Sequence, residues 1–219
     1  NNPNDSRLNF LAGALQLKNG NRKQATEKLE KAVLADKTNV DALYALALTK
    51  LSDKKANEAE QLFFRIIELS PENPQGYKGL SQAKIQQGKG SDIEPAMIKL
   101  EKKHSASSGP SEVLSELYLK QNNLEKAMKS ARSAYKKAPS LLSSRNQILK
   151  IHSIKTQRHL TEGKLSLART EVIEALKISP NSLIFLSELV KIELKDSKVQ
   201  EAKKLAGQVE VLAPDTALS

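Results

Sequence analysis

One phrase recurs along this chain, and it constrains the fold more than any other feature. Its clearest copy ends at Pro71: Ala59, then Phe63 four residues on, then Ile66 three after that, then Ser70-Pro71. Ala127 leads in the same way to Ala131, Ala134 and Pro139; Ala168 to Val172, Ala175 and Pro180; Ala202 to Ala206, Val209 and Pro214. Aligning the small inward residue of each copy gives Ala25, Ala59, Ile93, Ala127, Ala168 and Ala202, at successive steps of 34, 34, 34, 41 and 34 residues. A fixed period of this kind marks an array in which each repeat buries its apolar face only against its neighbours.

Composition agrees with a helical array. Apolar residues make up 39%, aromatics only 4%, and there is no Trp. Ala, Leu, Lys, Glu, Gln and Ser, which suit helices, dominate. The 219 residues carry a net charge of +10. That excess permits an anionic partner without choosing one, and Glu is spread among the Lys as on solvated helix faces. With no Cys, neither a disulfide nor a thiolate metal site can form. No apolar run reaches membrane-spanning length. The chain starts at Asn1 rather than Met and reads as a fragment of a longer protein.

Taken in order, Leu8, Leu11, Ala12 and Leu15 give a helix over residues 5–18 with one apolar face. Asn19-Gly20-Asn21 stops it, and Ala25, Leu29, Ala32 and Val33 point inward from its partner. Val40 to Leu51 follows, with Ser52-Asp53 expected to cap the helix that ends at Pro71. The third pair opens at Glu72-Asn73-Pro74, turns at Gly88-Lys89-Gly90, and has Ser91 or Asp92 as the expected cap of its second helix. Ser105 to Gly109 reads as the most flexible stretch, before Pro110 in a helical first turn. Another pair ends at Pro139, a long helix runs from about Leu141 to Thr161, and two further helix pairs bring the total to twelve helices.

The 34-residue helix-turn-helix period resembles the tetratricopeptide repeat. Its small first-helix residue is matched by Gly13 and Ala47, with Ser81 and Ser115 as substitutes. Its large neighbour is matched by Leu46, Leu80, Leu114 and Leu189, and its aromatics by Tyr77, Tyr118 and Phe63. Its second Ala is matched by Ala32, Ala134 and Ala175, and its closing Pro by Pro71, Pro139, Pro180 and Pro214. The resemblance implies an all-α fold: a right-handed α-solenoid of about six antiparallel helix pairs. One array then fills residues 1–219, with repeats near 6–39, 40–73, 74–107, 108–141, 149–182 and 183–216 and a seven-residue insertion near 142–148. Seven residues are close to two helical turns, so the insertion lengthens a helix while keeping its face. The fifth first helix departs from the pattern, with His152, Lys155, Thr156 and His159 at apolar or small positions.

Little in the sequence supports catalysis. His152 and His159 lie seven residues apart, too far along a helix to chelate one metal in the usual way. Gly88-Lys89-Gly90 is a helix-ending turn, and no phosphate loop appears. We therefore expect no enzyme activity, no cofactor and no metal. The basic residues Lys126, Lys129, Arg132, Lys136 and Lys137, with Lys99, Lys102 and Lys103, read as a solvated outer face; aromatics for nucleic-acid stacking are few.

What the resemblance implies about function is a concave groove that holds a peptide or protein. By register, the first-helix residues facing it include Arg7, Phe10, Ala14, Tyr44, Leu48, Lys78, Gln82, Glu112, Glu116, Gln157, Ser187 and Lys191. Phe10, Tyr44 and Leu48 are large apolar residues that the repeat core does not need. The carboxylate clamp of chaperone-tail binders is missing, because its positions hold Phe10, Ala14, Tyr44 and Leu48. The repeat style is similar to bacterial arrays attached to exopolysaccharide synthesis and export, including exosortase-linked ones, which implies a periplasmic or cell-envelope setting. A module handling anionic polysaccharide is the alternative expectation.

Overall fold

A computed structural model describes residues 5–213 and contains, among them, twelve α-helices and no strand. They pair as α1 (Ser6–Lys18) with α2 (Arg22–Ala35), α3 (Val40–Ser52) with α4 (Ala56–Leu69), and α5 (Pro74–Gln86) with α6 (Ile93–Lys103), the last preceded by a short 3-10 turn at Gly90–Asp92. Then come α7 (Gly109–Lys120) and α8 (Leu124–Lys137), α9 (Leu142–Thr161) and α10 (Leu165–Ile178), α11 (Leu183–Lys195) and α12 (Val199–Leu212). The chain forms two compact units. One runs up to Leu117 and takes in Lys136–Ala138; the other holds Tyr118–Tyr135 and the chain from Pro139 onward. Each is built of stacked helical hairpins, consistent with an α-solenoid. The expected closing residue Pro214 and the end of the last repeat lie outside the described residues.

The period is written into the backbone at two points per hairpin. First helices start on a side-chain cap. Asp5, Asn39 and Asn73, each 34 residues apart, accept hydrogen bonds from the amides of Leu8, Ala42 and Gln75 at 3.0 Å. Ser107, the next in that series, accepts from Gly109 at 3.2 Å. First helices end on a left-handed residue: Gly20, Lys54, Gly88, Asn122, Gly163 and Ser197 have φ between 59° and 80°. The amide just after each bonds the carbonyl five residues back, as Lys55 does to Lys50, Lys89 to Lys84 and Lys198 to Glu193, at 2.8–2.9 Å. This is the Schellman motif. It closes all six hairpins, and among the second helices α8 adds a side-chain cap, Asn123 accepting from the Lys126 amide at 3.1 Å. Asn21, Lys55, Asp92, Lys164 and Lys198 make none, and the caps expected from Ser52-Asp53 and Ser91 or Asp92 are corrected accordingly.

The core follows the recurring phrase. Ala25, Leu29 and Ala32, Ala59, Phe63 and Ile66, Ala127, Ala131 and Ala134, and Ala168, Val172 and Ala175 are all fully buried. Small first-helix residues let the helices approach. A Cβ at Gly13 would fall 2.8 Å from Leu29, and one at Gly76 would fall 2.9 Å from Ile67. In the second unit Phe185, Leu189 and Ile192 of α11 close over Ala168, Val172 and Ala175 of α10.

Burial departs from the sequence pattern at three places. Leu8, Leu11 and Leu15 do form one stripe on α1, but they are 47%, 52% and 56% exposed. The Ser/Gly stretch before α7 is not loose: Ser107 and Ser108 are buried, and Gly109 fits so closely under Tyr77 that a Cβ would meet the ring at 2.2 Å. Its polarity is absorbed by local bonds, including the Ser107 amide to the His104 carbonyl at 3.0 Å. Finally, His152 and Thr156 of α9, at positions where the repeat wants apolar residues, are 2% and 3% exposed. α9 itself has 20 residues against 14 in α8 and in α10.

Candidate functional site

The residues placed on the groove by register separate into the two units. In the first, Arg7, Leu48, Gln82 and Glu116 are exposed, and Phe10, Ala14, Tyr44 and Lys78 are half-buried. Phe10, Tyr44 and Leu48 thus keep apolar surface on the first-helix face of α1 and α3. Tyr44 is the best fixed of the three. Its ring stands edge-on to Phe63, with centroids 6.2 Å apart at 68°, and its hydroxyl donates to Gln75 Oε1 at 3.4 Å. Edge-to-face contact with a fully buried ring leaves Tyr44 anchored at its base and open on its other side.

Glu112 departs from expectation. It is fully buried, its carboxylate lies 3.0 Å from Lys78 Nζ, and Ser108 donates to it at 3.1 Å. A partner therefore cannot reach it, and Lys78 meets the groove with its charge already engaged. Burial of a lone carboxylate is costly, so a lysine partner is the physical condition for Glu112 to sit there.

In the second unit Gln157 and Lys191 are exposed and line one depression of about 470 Å³ with Leu160, Glu188 and Lys195. Ser187 is half-buried nearby on α11. Lys191 lies 3.6 Å from Glu188. The departed helix α9 carries a buried polar network instead of a metal centre: His152 Nδ1 is 2.7 Å from Glu171, and Lys155 bridges Glu171 at 3.3 Å and Glu125 at 2.9 Å. His159 stands apart from that network, 4.0 Å from Glu162. Among the described residues no group of three or more His, Asp or Glu side chains could hold a metal ion.

Sequence reasoning missed the ion pairs that tie one hairpin to the next. Lys50 and Lys84, 34 residues apart, are buried lysines. Lys50 holds Glu30 and Glu58, each at 2.7 Å, and Lys84 holds Glu60 at 2.9 Å. Burial works against the charge of Lys50, but the hydrogen bonds to Glu30 and Glu58 outweigh it and hold its ammonium above the usual lysine range. In the second unit the same interface position carries the opposite signs: Glu193 of α11 takes the place of Lys84, and Arg169 of α10 the place of Glu60. Arg169 Nε lies 2.6 Å from Glu193, and its Nη2 lies 2.6 Å from Asp196. Hydrogen bonds to Glu193 and then Asp196 push the guanidinium above its ordinary range. The sequence signal was present, since Lys recurs at the 34-residue step on a face otherwise buried. The basic residues of α8 are likewise engaged in part: Lys126 lies over the Tyr118 ring at 5.0 Å, and Lys137 bonds Glu101 at 2.8 Å.

With this geometry, the chain can be compared with known proteins. Residues 16–83 match the family model of the tetratricopeptide repeat. No curated protein matches the chain. Among solved structures it is similar to yeast Tom70, at 21% identity and a TM-score of 0.57, over 87% of this chain and 39% of that one. It is also similar to Pseudomonas aeruginosa pilF, at 15% identity and a TM-score of 0.52, over 96% of this chain and 93% of that one. A thermophilic TPR protein of Thermus thermophilus aligns at 19% identity and a TM-score of 0.46, over 86% of this chain and 99% of that one. These are likenesses of fold. The chain spans well under half of the Tom70 chain that it matches.

Proposed function

We propose that the chain is a non-catalytic interaction scaffold that holds a peptide or protein segment on the first-helix face of its first unit. The observation that carries this reading is the apolar surface that Phe10 of α1 and Tyr44 and Leu48 of α3 keep in solvent. Three large side chains of adjacent hairpins keep apolar surface in solvent, and Leu48 is 40% exposed. Exposed apolar surface on a rigid frame is what a partner's apolar side chain can bury. The tetratricopeptide match over residues 16–83 overlaps two of the three residues and supports the same class, because such repeats generally serve as scaffolds. Arg7, Gln82 and Glu116 are exposed first-helix residues of the same unit and would add polar contacts to a bound segment.

The test is selection of peptides from a displayed library on the whole chain, followed by titration of one selected peptide. Phe10→Ala with Tyr44→Ala should weaken it at least tenfold while helicity is unchanged; unchanged affinity refutes the placement.

In the finer reading, the scaffold serves a bacterial envelope or exopolysaccharide assembly. The style of the repeats is what supports it. A second reading, direct handling of an anionic polysaccharide, is favoured by the net charge of +10. Binding of an acidic polysaccharide that weakens steeply with salt would support it, and absence of binding at low salt would remove it.

A further inference from the structure

The C-terminal half of α9 departs from the rule that closes the other interior hairpins. From the second hairpin on, the left-handed residues Lys54, Gly88, Asn122, Gly163 and Ser197 fix the register of the first helices. Eight residues before them stand Leu46, Leu80, Leu114 and Leu189, all buried, and in α9 Lys155. Five before stand Thr49, Ala83 and Ile192, also buried, half-buried Leu117, and in α9 the exposed Arg158. Four before stand Lys50, Lys84 and Glu193, which bond the preceding second helix, Tyr118, and in α9 His159. Three positions that elsewhere close the interface are therefore cationic or titratable in α9. Departures of this kind, where a sequence breaks its own packing rule, collect at functional sites.

Where these side chains stand, the second unit has a depression of about 510 Å³, between α9 and the turn that joins α7 to α8. That volume falls in the range of small-molecule sites, about 300–1,000 Å³. Both walls belong to interior hairpins of the array, so the opening does not depend on where the chain begins or ends.

The lining is polar, and its groups differ in what they have left to give. Lys155 is spent on Glu125 and Glu171 and ties α8 to α9. Arg158 donates to Asn122 Oδ1 at 2.8 Å, one contact for a side chain with five N–H donors. His159 Nδ1 lies 4.0 Å from Glu162 and has no hydrogen-bond partner. Gln121, Asn122 and Asn123 are exposed and bring three amides, each both donor and acceptor. A guanidinium in such a place suits a carboxylate or phosphate. Amides suit hydroxyls, which also donate and accept. Leu124 is the one apolar side chain of the lining, and no aromatic joins it among the described residues. Nothing there would stack a nucleobase or seat a peptide's apolar anchor.

We propose that this depression is a subsite for one acidic unit of a carbohydrate, a sugar ring carrying a carboxylate or a phosphate. Arg158 and His159 take the anionic group, and the amides of the α7–α8 turn take the hydroxyls. The subsite rests on the second reading above, direct handling of an anionic polysaccharide, and gives that binding a place.

The test is titration of the whole chain at low salt with trigalacturonate, with glucose phosphate and with the neutral trimer maltotriose, followed by amide-resolved NMR. At least one of the two anions should shift the resonances of Asn122, Asn123, Arg158 and His159, and maltotriose should not. The anion that does so tells carboxylate from phosphate. Arg158→Gln with His159→Gln should weaken binding about tenfold or more, with circular dichroism unchanged. Lys129→Gln removes a charge from the exposed face of α8 and should leave binding as it was. The wild-type shifts decide the matter even if the double variant loses stability. Shifts that fall elsewhere, maltotriose bound as well as the anions, or equal weakening by Lys129→Gln would overturn the subsite. So would binding of an acidic polysaccharide with no binding of either small anion, which leaves the wider reading standing. A chain that binds no acidic polysaccharide at low salt overturns both.

Discussion

Two glycines sit inside helices of this chain with opposite surroundings, and alanine at each should move stability in opposite directions. Gly79 lies within α5 and Gly207 within α12. In an open helix interior, Ala is favoured over Gly by about 1 kcal/mol. At position 207 a Cβ meets nothing within 4 Å, so Gly207→Ala should stabilise by roughly that amount. At position 79 the same propensity gain competes with a collision: the Cβ would lie 2.1 Å from Phe63 Cε1 and 2.4 Å from Cδ1 and Cζ. The ring cannot yield, because Phe63 is fully buried with Tyr44 against it. Overpacking costs about 1–3 kcal/mol, and an overlap of this depth belongs at the upper end. Gly79→Ala should therefore lose about 2 kcal/mol net, placing the two variants about 3 kcal/mol apart. Urea unfolding followed by far-ultraviolet circular dichroism reads this directly. Adding Phe63→Leu to Gly79→Ala should cost less than the sum of the single changes, because the smaller side chain relieves the overlap. A Gly79→Ala protein as stable as the wild type would refute the close α4–α5 packing that the account of the repeat rests on.

Other outcomes follow from the turns and ion pairs. Lys54→Gly and Ser197→Gly replace residues held at φ of 61° and 59° and should each stabilise by about 0.5–1 kcal/mol, while Gly88→Ala should destabilise by about 1 kcal/mol; equal effects at all three sites would contradict the shared turn. Burial works against the charge of Glu60, but hydrogen bonds from Gln87 and Lys84 outweigh it and hold its carboxyl below the usual 4.5. A carboxyl lowered by folding adds stability that is complete above the unfolded value and lost as pH falls through the folded one. Glu60→Gln should thus be less stable than wild type at neutral pH and converge with it in acid, measured by denaturant titration across pH; a gap independent of pH would contradict this. Arg169→Glu should cost about 3 kcal/mol by setting a third carboxylate against Glu193 and Asp196. Adding Glu193→Lys should recover much of that loss, since Lys84 and Glu60 show the same position working with the signs exchanged, and no recovery would refute the equivalence.

The architecture was legible because packing repeats leave a periodic trace. Ala25, Ala59, Ala127, Ala168 and Ala202 mark helices that must approach closely, and every one is buried. Turn geometry was only half legible. Gly20, Gly88 and Gly163 announce left-handed residues, whereas Lys54 and Ser197 adopt the same conformation without a residue type that signals it. Composition misled at Ser105 to Gly109, where Ser107 and Ser108, which look like part of a linker, are buried and bonded within the first unit. Periodicity misled at Leu8, Leu11 and Leu15, because a pattern shows that a face is apolar but not that anything covers it. On the first helices, Phe10 and Tyr44 are half-buried and Leu48 is exposed, so each keeps apolar surface in solvent. Register could not reveal that Glu112 turns inward to Lys78 and Ser108, since that depends on a contact between helices distant in sequence.

The central claim is that the first-helix face, and not merely any apolar surface, receives the partner. A photo-crosslinking side chain placed in turn at Tyr44, at Leu48 and at Leu34 tests it most directly. Leu34 is a fair control, being 76% exposed and apolar but on the second helix α2. With a selected peptide bound, positions 44 and 48 should crosslink and position 34 should not. Crosslinks that form at 34 and fail at 44 and 48 would contradict the account.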